Sequence, residues 1–196
     1  VAEGLIYMRN EIEESLTESI KLRTELLSDS VETIIQIANI SVDALKSGHT
    51  LYLMGNGGSA ADAQHISGEL VGRFKKDRKP LPALALTTDT SVLTAIANDY
   101  GYDQCFEKQV EAFVKDGDIV FGLSTSGNSM SIINAIVSAG KKGAKTIAFT
   151  GKDGGRLKEF VDICLMIPSS DTARIQECHI TIGHILCSII EKEVFG

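Results

Sequence analysis

The stretch Leu51-Tyr-Leu-Met-Gly-Asn-Gly-Gly-Ser-Ala-Ala-Asp-Ala-Gln-His65 constrains the chain more than any other. An apolar run ends in glycines and passes into helix-forming residues, which reads as strand, loop and helix. Gly55, Gly57 and Gly58 permit positive φ and a close approach of backbone to a ligand, and Ser59 stands where a helix N-cap is expected. The unpaired amides of such a helix start, with the positive end of its dipole, favour an oxyanion such as a phosphate. The loop therefore forms one wall of a polar ligand site.

From there the chain alternates. Short apolar strands are expected at 50–54, 83–87, 118–123, 145–150 and 162–167. Between them lie helical segments at 59–74, 91–99, 105–114 and 129–142, a short one at 156–160, and a long closing helix at 173–193. Strands that are nearly continuous in apolar residues and separated by helices imply a parallel sheet covered on both faces. The basic stretch Lys75-Lys-Asp-Arg-Lys-Pro80 reads as a surface loop.

Two helices precede this alternation. Leu5, Met8, Ile12, Leu16 and Ile20 recur at helical spacing within 5–27, and a second helix is expected at 31–45, with Asp29 or Ser30 as its cap and Gly48 as its stop. The first has no strand of its own to cover, so it docks on a neighbouring helix or on a second subunit. At 196 residues and 43% hydrophobic, the chain is long enough for one α/β domain and short for two.

A net charge of −7 argues against nucleic acid or an anionic membrane as the main partner, so a phosphate must be held by local donors. No uncharged apolar run approaches a membrane span, and the opening Val1-Ala-Glu-Gly lacks a basic region leading into an apolar one. Cys105, Cys164, Cys178 and Cys187 form no C-x-x-C pair and read as buried reduced thiols. A cytoplasmic protein is expected.

Ligands of a doubly wound sheet bind at the carboxyl ends of its strands. The third strand runs into Ser124-Thr-Ser-Gly-Asn-Ser129, whose hydroxyls and amides can surround one phosphate group, and the fourth into the glycine-rich Thr150–Gly155 turn. Gly55-x-Gly57-x-x-Ala60 matches a dinucleotide fingerprint, but no acidic residue closes the second strand as ribose recognition requires. A monophosphate fits better. His65 and Glu69 project from one face of the helix after the glycines, with Arg73 a turn later. Alone, His184 and His179 read as core histidines of an apolar helix, and Glu69 as a solvated partner of Arg73. These readings weaken only if the closing helix packs beside the glycine-loop helix.

The run Gly55-Asn-Gly-Gly-Ser-Ala-Ala-Asp-Ala-Gln-His-x-x-x-Glu69-Leu-x-Gly-Arg73, Asn98-Asp99-Tyr-Gly101, Ser124-Thr-Ser-Gly-Asn-Ser129 and Ala173-Arg-Ile-Gln-Glu177 with His184 resemble the phosphoheptose isomerases of the sugar-isomerase (SIS) domain superfamily. The resemblance runs from about Val31 to the end with spacings intact. It implies a flavodoxin-like three-layer α/β/α sandwich on a five-stranded parallel sheet, with residues 1–196 a single SIS domain and 1–47 its N-terminal helices contributing to oligomerisation. It further implies a homotetramer with interfacial active sites, acting on sedoheptulose 7-phosphate in bacterial surface-polysaccharide synthesis.

By the same resemblance Ser124, Thr125, Ser126 and Ser129 cradle the phosphate, and Asn56, Gly57, Gly58, Ser59, Asn98, Asp99 and Gln176 line the sugar with Arg73 close by. Glu69 is the base and His184 the acid. Some members bind zinc, one ion per subunit, at residues matching His65, Glu69, Gln176 and His184. Two imidazoles and a carboxylate suit zinc, whereas an amide oxygen is a weak ligand. Aldose–ketose isomerisation through an enediol needs a base near carbon and an acid or metal on the oxygens, and no organic cofactor. Some members carry an acidic residue where this chain has Ala173. A related regulator that binds the replication initiator DnaA keeps the glycine loop but lacks the glutamate and the late histidine. This chain has both, which separates it from that rival.

Overall fold

The computed structural model describes residues 2–196, with side chains from Ile6 onward; Val1 and the side chain of Leu5, first of the expected stripe, lie outside the described residues. Five strands, β1 (Leu51–Gly55), β2 (Ala83–Ala85), β3 (Ile119–Ser124), β4 (Lys145–Gly151) and β5 (Ile163–Ile167), form a wholly parallel sheet ordered β2-β1-β3-β4-β5. This is the flavodoxin-like order, in which winding reverses between β1 and β3 and opens a crevice at their carboxyl ends. The two strands pair from Leu51 with Ile119 to Gly55 with Leu123, so the glycine loop and the Ser124 loop leave the sheet side by side.

Side chains alternate between two cores. Leu53, Phe121, Leu123 and Phe149 pack towards α2 (Val31–Lys46), α3 (Gly58–Val71) and α7 (Thr172–Phe195). Met54, Val120 and Ala148 pack towards α5 (Glu107–Phe113) and α6 (Met130–Lys141). The remaining helices are less covered. Among the described side chains of α1 (Ala2–Asp29) only Leu22 and Leu26 are buried, whereas Met8, Ile12, Leu16 and Ile20 are 59–67% exposed in an unbroken i, i+4 stripe. α4 (Thr90–Tyr100) buries no residue at all, although the Asp89 carboxylate caps it by accepting from the Val92 amide at 3.0 Å. Among the described residues no helix is long and apolar enough to cross a membrane.

Three local expectations are corrected. The helix after the glycines starts one residue earlier than expected, with Gly57 rather than Ser59 at its N-cap; the cap adopts φ 56°, ψ −122°, open to glycine, and Ser59 is buried in the first turn. The helix expected at 105–114 is α5, shortened to Glu107–Phe113, and a 3₁₀ turn (Tyr102–Gln104) precedes it where Gly101, at φ 90°, ends α4 and redirects the chain. Cys164 is only partly buried; the other three cysteines are buried, and all four are free thiols.

A fourth correction is the basic stretch after α3. Arg78 is not a surface residue: its side chain and that of Glu191 on α7 are each 3% exposed and ion-paired at 3.1 Å. The guanidinium accounts for the carbonyls at the end of α3, which stops at Val71 rather than continuing to 74.

α3 and α7 lie against each other at two glycines. A Cβ on Gly58 would come within 2.6 Å of the Gln176 amide, and one on Gly183 within 2.7 Å of Ile66. The pairs Gly58–Gln176 and Ile66–Gly183 advance together along both helices, so α3 and α7 run parallel. His179 occupies the buried face of α7 and donates from Nε2 to the Thr150 carbonyl at 3.2 Å, as the core reading expects. Burial lowers its pKa to about 4, against the partial support of that hydrogen bond. The unfolded chain takes up this proton near pH 6.5 and the folded chain only near 4, so stability is complete above 6.5 and falls between the two values. The loss amounts to about 3 kcal/mol. Denaturant unfolding of His179→Gln is expected to show a correspondingly flatter stability profile from pH 6.5 to 4; an unaltered slope would refute this.

Candidate active site

The site begins at the crevice between β1 and β3. After β1 the Asn56 side chain is pinned from two sides, donating from Nδ2 to Ser131 Oγ at 3.1 Å and accepting at Oδ1 from the Tyr102 hydroxyl at 2.6 Å. Neither partner was singled out by sequence; Tyr102, directly after the turn glycine Gly101, was the nearer to being legible. Of Gly55, Gly57 and Gly58, only Gly57 uses positive φ. Gly55 and Gly58 are there for space, since a Cβ would strike the Ser59 carbonyl at 2.5 Å or the Gln176 amide at 2.6 Å.

Beside it, the loop after β3 curls into a cup. Gly127 takes φ 64°, its amide bonds back to the Ser124 carbonyl at 3.0 Å, and its carbonyl accepts from the Leu157 amide at 2.8 Å. Ser124 Oγ and Ser129 Oγ lie 3.3 Å apart, and Ser126 Oγ accepts from the Asn128 amide at 3.2 Å. Ser129 is the N-cap of α6 but its side chain makes no capping hydrogen bond, so the Met130 and Ser131 amides keep their donor character towards the cup. Hydroxyls, free amides and a helix dipole converging on one small volume suit an oxyanion.

The ionisable residues gather where α3 and α7 run together. His65 Nε2 lies 2.9 Å from His184 Nε2 and 3.2 Å from Glu69 Oε1, and donor atoms of all three side chains fall within 4.8 Å of one another. Phe74 stacks on His184 with ring centroids 5.8 Å apart and planes 23° from parallel. Behind the cluster, burial and then the Glu69 charge push the Cys187 thiol up to about 12, which keeps it an inert neutral group. One turn before His65, burial raises the Asp62 carboxyl above its ordinary range while His65 opposes the shift.

Not every candidate joins these groups. Gln176 sits against Gly58, at the glycine-loop end of α7, two turns from His184. Arg73 lies past the end of α3, exposed, and among the described residues it has no ion pair; Glu69 pairs with His65 instead. Asn98 and Asp99 end α4 on the surface, bonded to each other at 2.8 Å. Asp171 does not take the place of the acidic residue absent at Ala173. Its carboxylate is spent on capping α7, accepting from the Ala173 and Arg174 amides at 2.7 and 3.2 Å.

Residues 15–151 match the SIS domain family model. The phosphoheptose isomerase of Aquifex aeolicus is 50% identical over 187 residues, covering 95% of this chain and 98% of that protein. The chain belongs to the phosphoheptose isomerase family. The family's enzyme from Clostridium acetobutylicum is 53% identical over 191 residues, covering 96% of this chain and 97% of its own. The solved phosphoheptose isomerase of Neisseria gonorrhoeae superposes with a TM-score of 0.90 at 41% identity, covering 94% of this chain and 99% of that one. Phosphoheptose isomerase relatives thus share the whole architecture, N-terminal helices included.

Proposed function

We propose that the protein isomerises sedoheptulose 7-phosphate to D-glycero-D-manno-heptose 7-phosphate through an enediol, the first step towards nucleotide-activated heptose for lipopolysaccharide or another bacterial surface polysaccharide. The observation that carries this reading is the meeting of Glu69 and His184, 115 positions apart in sequence, in one cluster between α3 and α7. The rival reading, a regulator that binds DnaA, has no use for that pair.

Ser124, Thr125, Ser126 and Ser129 hold the 7-phosphate, which anchors the far end of the sugar and orients carbons 1 and 2. Asn56, Gly57, Gly58, Ser59 and Gln176 wall the chain of hydroxyls. Glu69 removes a proton from C1 of the ketose; the C1–H electron pair becomes the C1–C2 double bond, and the C2 carbonyl oxygen takes a proton from His184. In the second half the C1 hydroxyl returns its proton to His184, the C1 carbonyl forms, and Glu69 delivers a proton to C2. All hydrogen moves as protons, so no organic cofactor is required.

The donor set also fits zinc. Tetrahedral ligands at zinc bond lengths stand about 3.3 Å from one another, and His65, Glu69 and His184 already present atoms 2.9 and 3.2 Å apart. These three would hold the ion, one per subunit; Gln176, the fourth ligand that the resemblance implies, lies two turns from His184 against Gly58. A bound zinc would polarise the sugar oxygens. Purified protein should convert sedoheptulose 7-phosphate to the aldose and slow after chelation; a folded protein that forms no aldose at all would overturn the assignment. Ser126→Ala removes one donor to the phosphate, so affinity for the 7-phosphate should fall about tenfold, and unchanged affinity in a binding titration would count against the cup.

The exposed stripe of α1 and the uncovered α4 support a homotetramer in which residues 1–47 help to join subunits of a single-domain chain. Asn98, Asp99 and Arg73, which stand apart from the cluster, would then serve sites completed across interfaces. Leu16→Glu together with Ile20→Glu should reduce the mass measured by light scattering from four chains to fewer; an unchanged tetramer would contradict this. Four free thiols support a reducing, cytoplasmic location.

A further inference from the structure

We propose that the buried Arg78–Glu191 pair is the positioning element of the acid–base site, setting Glu69 and His184 at their working separation. The inference rests on the isomerase reading and extends it to two residues that touch no substrate. Arg78 lies in a segment whose composition suggests solvent, yet its side chain is enclosed and every polar atom is used. Nε donates to Glu191 Oε2 at 3.1 Å; one terminal nitrogen donates to the carbonyls of Leu70 at 2.6 Å, Lys79 at 3.2 Å and Gly72 at 3.3 Å; the other donates to the carbonyl of Glu69 itself at 2.8 Å. The last turn of α3, on which the Glu69 side chain is mounted, is therefore held by one planar cation.

The other half of the pair reaches His184. Glu191 lies two turns beyond His184 on α7 and accepts from three successive amides, Phe74 at 3.1 Å, Lys75 at 2.9 Å and Lys76 at 2.9 Å. Burial pushes the Glu191 carboxyl up, but the three amides and Arg78 outweigh it and hold the group below the usual carboxylate range. Fixing the Phe74 backbone fixes its ring, and that ring stacks on the His184 imidazole. Lys75 Nζ also donates to Ser188 Oγ on the same helix at 3.2 Å. One ion pair thus grips Glu69 through its carbonyl and His184 through Phe74. A guanidinium is needed for this, because an ammonium cannot reach Glu191 and several carbonyls in one plane.

Arg78→Lys and Glu191→Gln test the inference. Each should lower kcat by about 10- to 100-fold, the cost of misplacing a reacting group by around an ångström, while KM for the 7-phosphate, set by the distant Ser124 cup, stays within about threefold. A merely structural role is separated by Asp162→Asn, which removes the carboxylate receiving the Thr146 amide and hydroxyl at the far, β5 edge of the sheet. That variant should lose melting temperature but keep kcat. Folded Arg78→Lys or Glu191→Gln with wild-type kcat would overturn the proposal, as would equal losses of kcat and of melting temperature in all three variants. Failure of the isomerase reading would show in the wild type, as no turnover. The inference is then read from ¹⁵N signals of the His65 and His184 imidazoles: both should shift in Arg78→Lys, and unshifted signals would overturn it. Where Glu191→Gln does not fold, Arg78→Lys, which keeps the charge, carries the test.

Discussion

Glu69→Gln is expected to reduce kcat by about three orders of magnitude, within the range that a positioned general base contributes, with the melting temperature nearly unchanged. The side chain is partly exposed and its carboxylate lies 3.2 Å from His65 Nε2, so replacing carboxylate by amide removes basicity without emptying a core position. His184→Gln should fall by a similar factor for the complementary reason, since an amide cannot hand a proton to the sugar oxygens. The two losses should not add when combined, because base and acid act in one transfer and the loss of either already disables it. Steady-state kinetics on folded protein checks this; near-wild-type kcat in either single variant would remove the mechanism.

Gly127→Ala should disable the phosphate cup from the backbone. The residue sits at φ 64°, and a Cβ there would stand 2.0 Å from the Gly154 carbonyl oxygen, a contact with main chain that no rotamer change relieves. Positive φ alone costs roughly 1–2 kcal/mol for a residue with a side chain, and the overlap must be relieved by moving the two glycine-rich loops apart. The Ser124–Ser129 segment is tied to that neighbour by the Gly127 carbonyl and by the Asn128 side chain, which accepts from the Arg156 amide at 3.2 Å. Displacing it spoils several phosphate contacts together, so KM for the 7-phosphate should rise about 100-fold or more, two or more lost hydrogen bonds to a charged group. Melting temperature should fall as well. A variant with unchanged KM would show that the cup holds no phosphate.

Much of this was open to reading in the sequence, and the remainder was hidden for physical reasons. Strand apolarity and loop glycines report local geometry, so the five strands and the crevice at Gly55 and Ser124 could be placed from residues alone. His179 read correctly as a core histidine because its neighbours in the helix are apolar. What no local pattern could give was the pairing of α3 with α7, which depends on small residues at Gly58 and Gly183 and on register between distant helices. The N-cap was misassigned to Ser59 because the usual preference for a hydroxyl was overruled by a backbone conformation open to glycine. Arg78 was invisible for a deeper reason: a charge surrounded by lysines looks solvated until the buried carboxylate that neutralises it, 113 positions away, is seen beside it.

The central claim is that a proton, not a hydride, passes between C1 and C2 under the control of Glu69. Sedoheptulose 7-phosphate incubated with the protein in D₂O and followed by NMR tests this most directly. The account predicts an aldose 7-phosphate carrying deuterium at C2, taken up while the proton rests on a partly exposed carboxylate. An aldose whose C2 hydrogen comes wholly from C1, or no aldose from folded protein, would contradict it.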